Sequence, residues 1–261
     1  MRFRMHPVTG LRPQLKISAT IITLNEERNL PRAIESLRCC DEILVVDSGS
    51  SDRTVEIAKD YGARAIQAGW HGYAGQKNYA SEQAACDWVL SIDADEALSE
   101  ELEAEILQIK KNGPQFDAYS FPRMTQYLGK WILHSGWYPD RKIRFFDRRK
   151  AKWVGEYVHE SVVAESRAGK LQGNLLHYTC ASLSEHLKSL DRYTTLAAEE
   201  VVARGRRVGA HRLMVDPAWT FMRTYFLQAG FLDGVEGLTI AYMASLYTFL
   251  KYAKARFASL R

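Results

Sequence analysis

"ISATIITLNEERNLPRAIESLRCCDEILVVD", residues 17–47, is the stretch on which the fold turns. Its first eight residues are rich in β-branched side chains and nearly continuous in apolar character, as in a strand covered on both faces. "EILVVD" at 42–47 repeats that character, and the segment between them, from about Asn29 to Arg38, reads as a helix. The alternation continues outward. "SSDRTVEIAKDYG" (50–62) opens with capping residues and closes on Gly62, as a helix does. "ARAIQAG" (63–69) is a weaker third strand, "GQKNYASEQAA" (75–85) a third helix and "WVLSID" (88–93) a fourth strand. Strands separated by crossover helices predict an α/β fold: an open, mostly parallel, Rossmann-like sheet with helices on both faces.

"SEELEAEILQIKKNG" (99–113) is an amphipathic helix with acids in its first turn, lysines in its last and Gly113 beyond it. After it the pattern is less regular. Strand-like pieces fall near 117–128, 142–147, 158–164 and 174–178, followed by a long helix from about Ser184 to Arg204. No internal repeat or low-complexity tract is present, and "KNGPQF" (111–116) reads as a turn.

Of the 261 residues, 46% are hydrophobic and 25% charged, which fits one large domain or a domain with an appendage. A net charge of +4 makes no case for nucleic acid, which is not an expected partner. Residues 141–152, "RKIRFFDRRKAK", do hold seven basic residues against one acid, either a solvated face or a surface for a phosphate-bearing partner. Four cysteines without CxxC spacing fit a reducing cytoplasm, and the N-terminal residues lack the apolar stretch of a secretory signal. No run reaches the roughly 18 to 20 apolar residues of a membrane span. The nearest, "LTIAYMASLYTFL" (238–250), follows the aromatic-rich "PAWTFMRTYFLQAGFL" (217–232) and precedes Lys251, Lys254 and Arg256. Such a composition suits a helical appendage lying in the membrane interface, or equally one packed on the domain or in a dimer contact.

Ligands of an open parallel sheet bind beyond the carboxyl ends of its strands. The polar exceptions of this chain fall there: "TLNEE" (23–27), "DSGSSD" (47–52) and "DADE" (93–96). The loop after the first strand contains no glycine, which argues against a G-x-G-x-x-G dinucleotide site, and no P-loop lysine motif is present. Asn25, Glu27 and Asp47 instead offer side-chain hydrogen bonds. Asp93 and Asp95 form a D-x-D pair able to hold Mg2+ or Mn2+, which can bridge to a diphosphate and stabilise it as it leaves.

In four ordered blocks, "ATIITLNEERNLPRAIESL" (19–37), "EILVVDSGSSDRTVEIAKDYGARAI" (42–66), "GYAGQKNYASEQAACDWVLSIDADE" (72–96) and "WVGEYVHESV" (153–162), the chain resembles the inverting family 2 glycosyltransferases of the GT-A fold. The continuation through "GWYPDRKIRFFDRRKAKWVGEYVHE" (136–160) is similar to the lipopolysaccharide-core β-1,4-glucosyltransferase branch. The resemblance implies an N-terminal extension at 1–15, a transferase domain at 16–182 and a C-terminal helical region at 183–261. Within the domain it implies a nucleotide-sugar half at about 16–113 and an acceptor half at about 114–182. It further implies transfer of a hexose, glucose foremost, from a UDP-sugar to an inner-core heptose. By the same resemblance Thr23, Asn25, Glu27 and Asp47 contact uracil and ribose, Ser48 and Ser50 line the loop, and Gln76, Lys77 and Asn78 face the nucleotide. Asp93 meets ribose or metal-bound water, and Asp95 the metal.

Inversion by direct displacement needs a base for the acceptor hydroxyl. In "VHES" (158–161), His159 and Glu160 point opposite ways if the segment is extended. Glu160 is the expected base, with Asp140 its rival. His159, Trp137, Arg141 and Arg144 are expected on the acceptor side, with Trp131 and Tyr138 as stacking or core residues. The basic run, extended by Arg204, Arg206, Arg207 and Arg212, would then face the acidic groups of a lipid-linked saccharide. The expected location is cytoplasmic, peripheral at the inner face of the cytoplasmic membrane, and a homo-oligomer stays open. Two alternatives also stay open: the same enzyme acting on a polyprenyl-phosphate or other cell-surface polysaccharide acceptor, and a nucleotide-binding membrane adaptor without turnover.

Overall fold

The computed structural model describes residues 14–155, 160–180, 182–205 and 208–258. In chain order the elements begin with β1 (Ile17–Thr23), α1 (Leu30–Glu35), β2 (Glu42–Asp47), α2 (Thr54–Asp60), β3 (Arg64–Gln67), α3 (Gly72–Gln83), β4 (Trp88–Asp93), β5 (Glu96–Leu98) and α4 (Glu100–Asn112). They continue with β6 (Ala118–Tyr127), β7 (Lys130–Ile132), β8 (Asp140–Asp147), β9 (Ala151–Val154), β10 (Ser161–Ala164), β11 (Gly169–Lys170) and β12 (Leu175–Tyr178). The last helices are α5 (Leu183–Ala203), α6 (Arg212–Met222) and α7 (Gly234–Ala258).

These elements fall into two compact units. The first comprises Met1–Ala94, Glu100–Ser120 and Ile143–Gly173. Its strands β3, β2, β1 and β4 lie side by side in that order and all run parallel. Every residue of β1 from Ile17 to Ile21 is buried, so both faces of the strand are covered. That double burial is why the sequence shows an unbroken apolar run there instead of alternation. The crossover helices supply Leu30, Ala33, Ile34, Ala58 and Ala80 to the core. α1 is shorter than its sequence predicts because Ser36, Leu37 and Cys40 each donate a backbone hydrogen bond to the third residue back, tightening the chain into turns. The other end of β4, Trp88–Leu90, pairs antiparallel with Phe145–Asp147 of β8, and β9 and β10 form an antiparallel pair.

The second unit comprises Asp95–Ser99, Phe121–Lys142 and Asn174–Arg261. Here β12 runs parallel to β6 and antiparallel to β5, and β7 folds back antiparallel on β6. α5 is capped by Ser182, whose hydroxyl accepts the Glu185 N–H at 3.2 Å. α6 contains Pro217 and passes into a π turn, Arg223–Leu227, and then a 3-10 turn, Gly230–Asp233, before α7 begins. Gly237 is required on α7, since a Cβ there would collide with the Gly230 carbonyl oxygen. The buried Asp233 ties this turn to the segment after β7. It accepts the N–H groups of Leu133 and His134 at 3.2 and 3.1 Å and the Ser135 hydroxyl at 3.0 Å. Among the described residues no helix is long and apolar enough to cross a membrane.

The open, mostly parallel sheet and the helical C-terminal region match the sequence reading. The strands β5, β7, β9 and β11, two to four residues each, do not appear in it.

Candidate active site

Parallel register levels the carboxyl ends of the first unit's strands. Thr23 lies beside Asp47, Asp47 beside Gln67, and Ile22 beside Asp93. The loops leaving β1, β2 and β4 therefore emerge along one edge. Asp47 has no solvent-exposed surface. Its Oδ1 accepts the hydroxyls of Thr23 (3.1 Å) and Ser50 (2.5 Å), and its Oδ2 accepts the N–H groups of Gly49 (2.9 Å) and Ser50 (2.8 Å). Four donors satisfy a buried carboxylate, so Asp47 shapes its loop from within.

The neighbouring loop is laced to this one. Asn25, exposed and in the left-handed region at φ +58, donates its N–H to Ser50 Oγ at 2.8 Å and accepts the Ser51 N–H on Oδ1 at 2.8 Å. Glu27 accepts the Arg53 N–H and donates its own to Asp52, each at 3.2 Å. Ser48 Oγ receives the side-chain amide of the buried Gln76 at 3.2 Å, which ties α3 to the same edge.

The next residue of α3 heads a compact charge cluster in the same unit. Lys77 of α3 is almost fully enclosed, and its Nζ stands 2.8 Å from Asp93 Oδ1 and 3.0 Å from Glu160 Oε1. Arg144 of β8, also buried, places Nη2 2.8 Å from Asp93 Oδ2. The Trp153 ring receives both cations, with Lys77 Nζ 4.5 Å and Arg144 Cζ 5.0 Å from its centre. Trp153 Nε1 is buried and has no hydrogen-bond partner among the described residues. Burial alone would push the Asp93 carboxyl up, but the Arg144 and Lys77 charges outweigh it and hold the group far below the usual carboxylate range.

The second unit carries a separate cluster. Asp95 Oδ2 lies 3.3 Å from Nε2 of His177, whose Nδ1 is 3.3 Å from Thr125 Oγ1. The backbone fixes this pair: Tyr178 N–H donates to the Asp95 carbonyl at 2.9 Å, and His177 stands opposite Glu96 in the β5–β12 pairing. Glu96 is buried with Arg123 at 3.5 Å, and Arg123 reaches Asp140 at 2.9 Å. Asp140 and His177 line one cavity of about 410 Å3 together with Arg123, Thr125 and Trp137.

Asp95 and His177 are the residues that would hold a divalent cation here, offering one carboxylate and one imidazole nitrogen. Mg2+ in particular is usually held by one or two carboxylates plus substrate phosphates. Among the described residues no group of three or more His, Cys, Asp or Glu side chains is placed to form an all-protein cage. Asp93, the other half of the D-x-D, has an oxygen engaged by each of two chain cations. His177 went unnoticed in the sequence; the signal was a histidine inside the strand "LLHY".

The remaining residues are spread more widely. Asn78 exchanges two hydrogen bonds with the Trp153 backbone, at 2.9 and 3.0 Å, and so clamps β9 to α3. Arg141 sits half-buried on β8. Much of the basic run is spent within the first unit. Arg148 donates to the carbonyls of Ser81, Glu82 and Ala84 behind α3, Arg149 pairs with Asp147, and Lys150 with Asp117. Trp137 packs edge-on against Tyr127, with ring centres 5.5 Å apart. His159, Arg206 and Arg207 lie outside the described residues.

Residues 18–165 match the model of a family described as Glycosyl transferase family 2. The chain is 34% identical over 253 residues to the lipopolysaccharide core biosynthesis glycosyltransferase LpsC of Rhizobium meliloti, covering 93% of this chain and 92% of that protein. It is also 34% identical over 258 residues to an uncharacterized glycosyltransferase of Rickettsia typhi, covering 94% and 88%. Among solved structures it is similar to S. aureus TarS 1-349, at 14% identity over 95% of this chain and 92% of that one, with a TM-score of 0.45.

Proposed function

This chain belongs to glycosyl transferase family 2 and is a glycosyltransferase, and from that premise we propose that it moves a hexose, glucose foremost, from a UDP-sugar to a heptose of a lipopolysaccharide inner-core acceptor, with inversion. The observation that carries the donor side is the levelled carboxyl edge of β1, β2 and β4, where two interlaced loops adjoin the buried cations Lys77 and Arg144. The acceptor class is supported by the likeness to LpsC along nearly the whole of both chains.

In this reading Asn25 and Glu27 orient the base and ribose, with Asp47 and Thr23 holding their loops in shape. Lys77 and Arg144 supply positive charge toward the diphosphate. Asp95 and His177 would hold Mg2+ or Mn2+, which when bound neutralises charge on the leaving diphosphate. Glu160 takes the proton of the acceptor hydroxyl as its oxygen bonds to C1 of the sugar. The C1–O bond to the diphosphate breaks at the same time, and its electron pair departs on UDP. Lys77, 3.0 Å from Glu160 Oε1, orients that carboxylate. A second reading gives the proton to Asp140, favoured by the cavity it shares with His177. Met222, Phe226, Leu227, Phe231 and Leu232 are exposed around the turn between α6 and α7 and supply the membrane contact of a peripheral protein at the cytoplasmic face.

The test is incubation of the purified protein with UDP-glucose or UDP-galactose, Mn2+, and either heptose-terminated lipopolysaccharide or polyprenyl phosphate, with products read by mass spectrometry. One hexose added to the heptose-terminated acceptor is expected. Addition only to polyprenyl phosphate, or to neither, would contradict the assigned acceptor.

A further inference from the structure

The second unit contains a larger cavity, about 830 Å3, lined by Asp95, Trp137, Thr179 and Cys180 and by residues of α5, α6, α7 and the π turn. Its size lies within the roughly 300–1,000 Å3 of small-molecule sites. It shares Trp137 and Thr179 with the smaller cavity that holds Asp140 and His177. The larger space therefore adjoins the cluster assigned above to the cation and the rival base.

The lining chemistry narrows the occupant. Tyr193, Trp219, Tyr247 and Tyr252 present rings, while Asp216 and Arg223 stand among them. A lipid chain would gain nothing from those charges and would leave them desolvated. A polyanion would need an excess of cations, yet Asp95 and Asp216 balance Arg223 and Lys251. A saccharide matches both features. Its C–H faces pack on aromatic rings, and its hydroxyls use donors and acceptors alike.

The wall is also irregular at this position. Pro217 removes one backbone donor from α6, and the helix passes into the π turn that carries Arg223. π turns interrupt the regular hydrogen-bond ladder and occur often at functional sites. Thr220 Oγ1, 3.2 Å from Thr248 Oγ1, and Ser245 Oγ, donating to the Pro217 carbonyl at 3.0 Å, hold α6 against α7 beside the cavity. Leu227 and Phe226 leave the same π turn exposed, 69% and 51%. A saccharide in the groove would thus lie next to the surface assigned to the membrane.

We infer that this groove is the acceptor subsite, taking the saccharide portion of a lipid-linked acceptor beyond the reacting sugar, with its reacting end toward Asp95. The inference rests on the proposed function and adds the place and chemistry of acceptor recognition.

The experiment is calorimetric titration of the full chain with the delipidated inner-core oligosaccharide, for wild type, Trp219→Ala and Lys251→Met. Each protein is separately titrated with UDP and Mn2+. Trp219 is 58% exposed, so its truncation leaves the core intact. Both variants are expected to bind the oligosaccharide about tenfold more weakly, with UDP binding unchanged. Oligosaccharide binding retained in full by both variants, or absent from the wild type, overturns the subsite. Failure of the wild type to bind UDP would count against the proposed function instead, and the oligosaccharide titrations would still decide the groove.

Discussion

Lys77 Nζ lies 2.8 Å from the Asp93 carboxylate, an ion pair that joins the middle of α3 to the last residue of β4. A lysine this enclosed is tolerable only when paired, and removing one partner of a buried pair typically costs about 3–5 kcal/mol. Lys77→Met is expected to lose about 3 kcal/mol in urea denaturation, toward the low end because Asp93 keeps Arg144. The pH dependence follows from the same geometry. Arg144 and Lys77 depress the folded-state ionisation of Asp93 below that of the unfolded chain, near 3.9. Their contribution is therefore complete above the unfolded value and is lost progressively as pH falls from there toward the folded-state value, far below the ordinary carboxylate range. Arg144→Met should show a shallower fall of melting temperature than wild type below about pH 4; parallel curves there would contradict the assigned pairing.

Asp47 is expected to act through its loop. Asp47→Ala removes the acceptor for four donors and should cost about 2–4 kcal/mol while weakening UDP binding. Asp47→Asn is not conservative here, because its amide would turn a donor toward a cluster made of donors. Thermal melts beside UDP titration check both points, and wild-type values for either variant would contradict this role.

The base is separable from the binding groups by kinetics. Glu160→Gln should lower transfer by about 10²- to 10⁴-fold with UDP affinity retained. If Asp140→Asn shows that loss and Glu160→Gln does not, the proton belongs to Asp140.

Membrane contact makes a further prediction. Leu227→Glu with Phe231→Glu places two charges at positions 69% and 49% exposed, where folding is little affected. Co-sedimentation with phosphatidylglycerol-containing vesicles should fall about tenfold or more. Unchanged sedimentation would remove the membrane from the proposed function.

The parallel sheet was legible because burial on both faces leaves an unmistakable apolar run, as at Ile17 to Ile21. The edge residues were legible because polar groups ending such runs converge when the strands are parallel. What stayed hidden depends on contacts distant in sequence. Arg144 reads as one more cation in a basic stretch, yet flanked by Ile143 and Phe145 it is buried against Asp93. Glu96 reads as a loop carboxylate, but it starts β5 and is buried opposite Arg123. His177 sits beside Asp95 only because β12 pairs with β5, across roughly eighty residues of chain that no local pattern spans.

The most direct measurement is UDP titration of wild type and Asp95→Ala, each with and without Mn2+. The expected result is wild-type binding that tightens with Mn2+ and loses that dependence in Asp95→Ala, with His177→Ala behaving alike. Identical Mn2+-dependent binding in wild type and Asp95→Ala, or no UDP binding by wild type, would contradict a nucleotide-sugar site completed by a cation at Asp95.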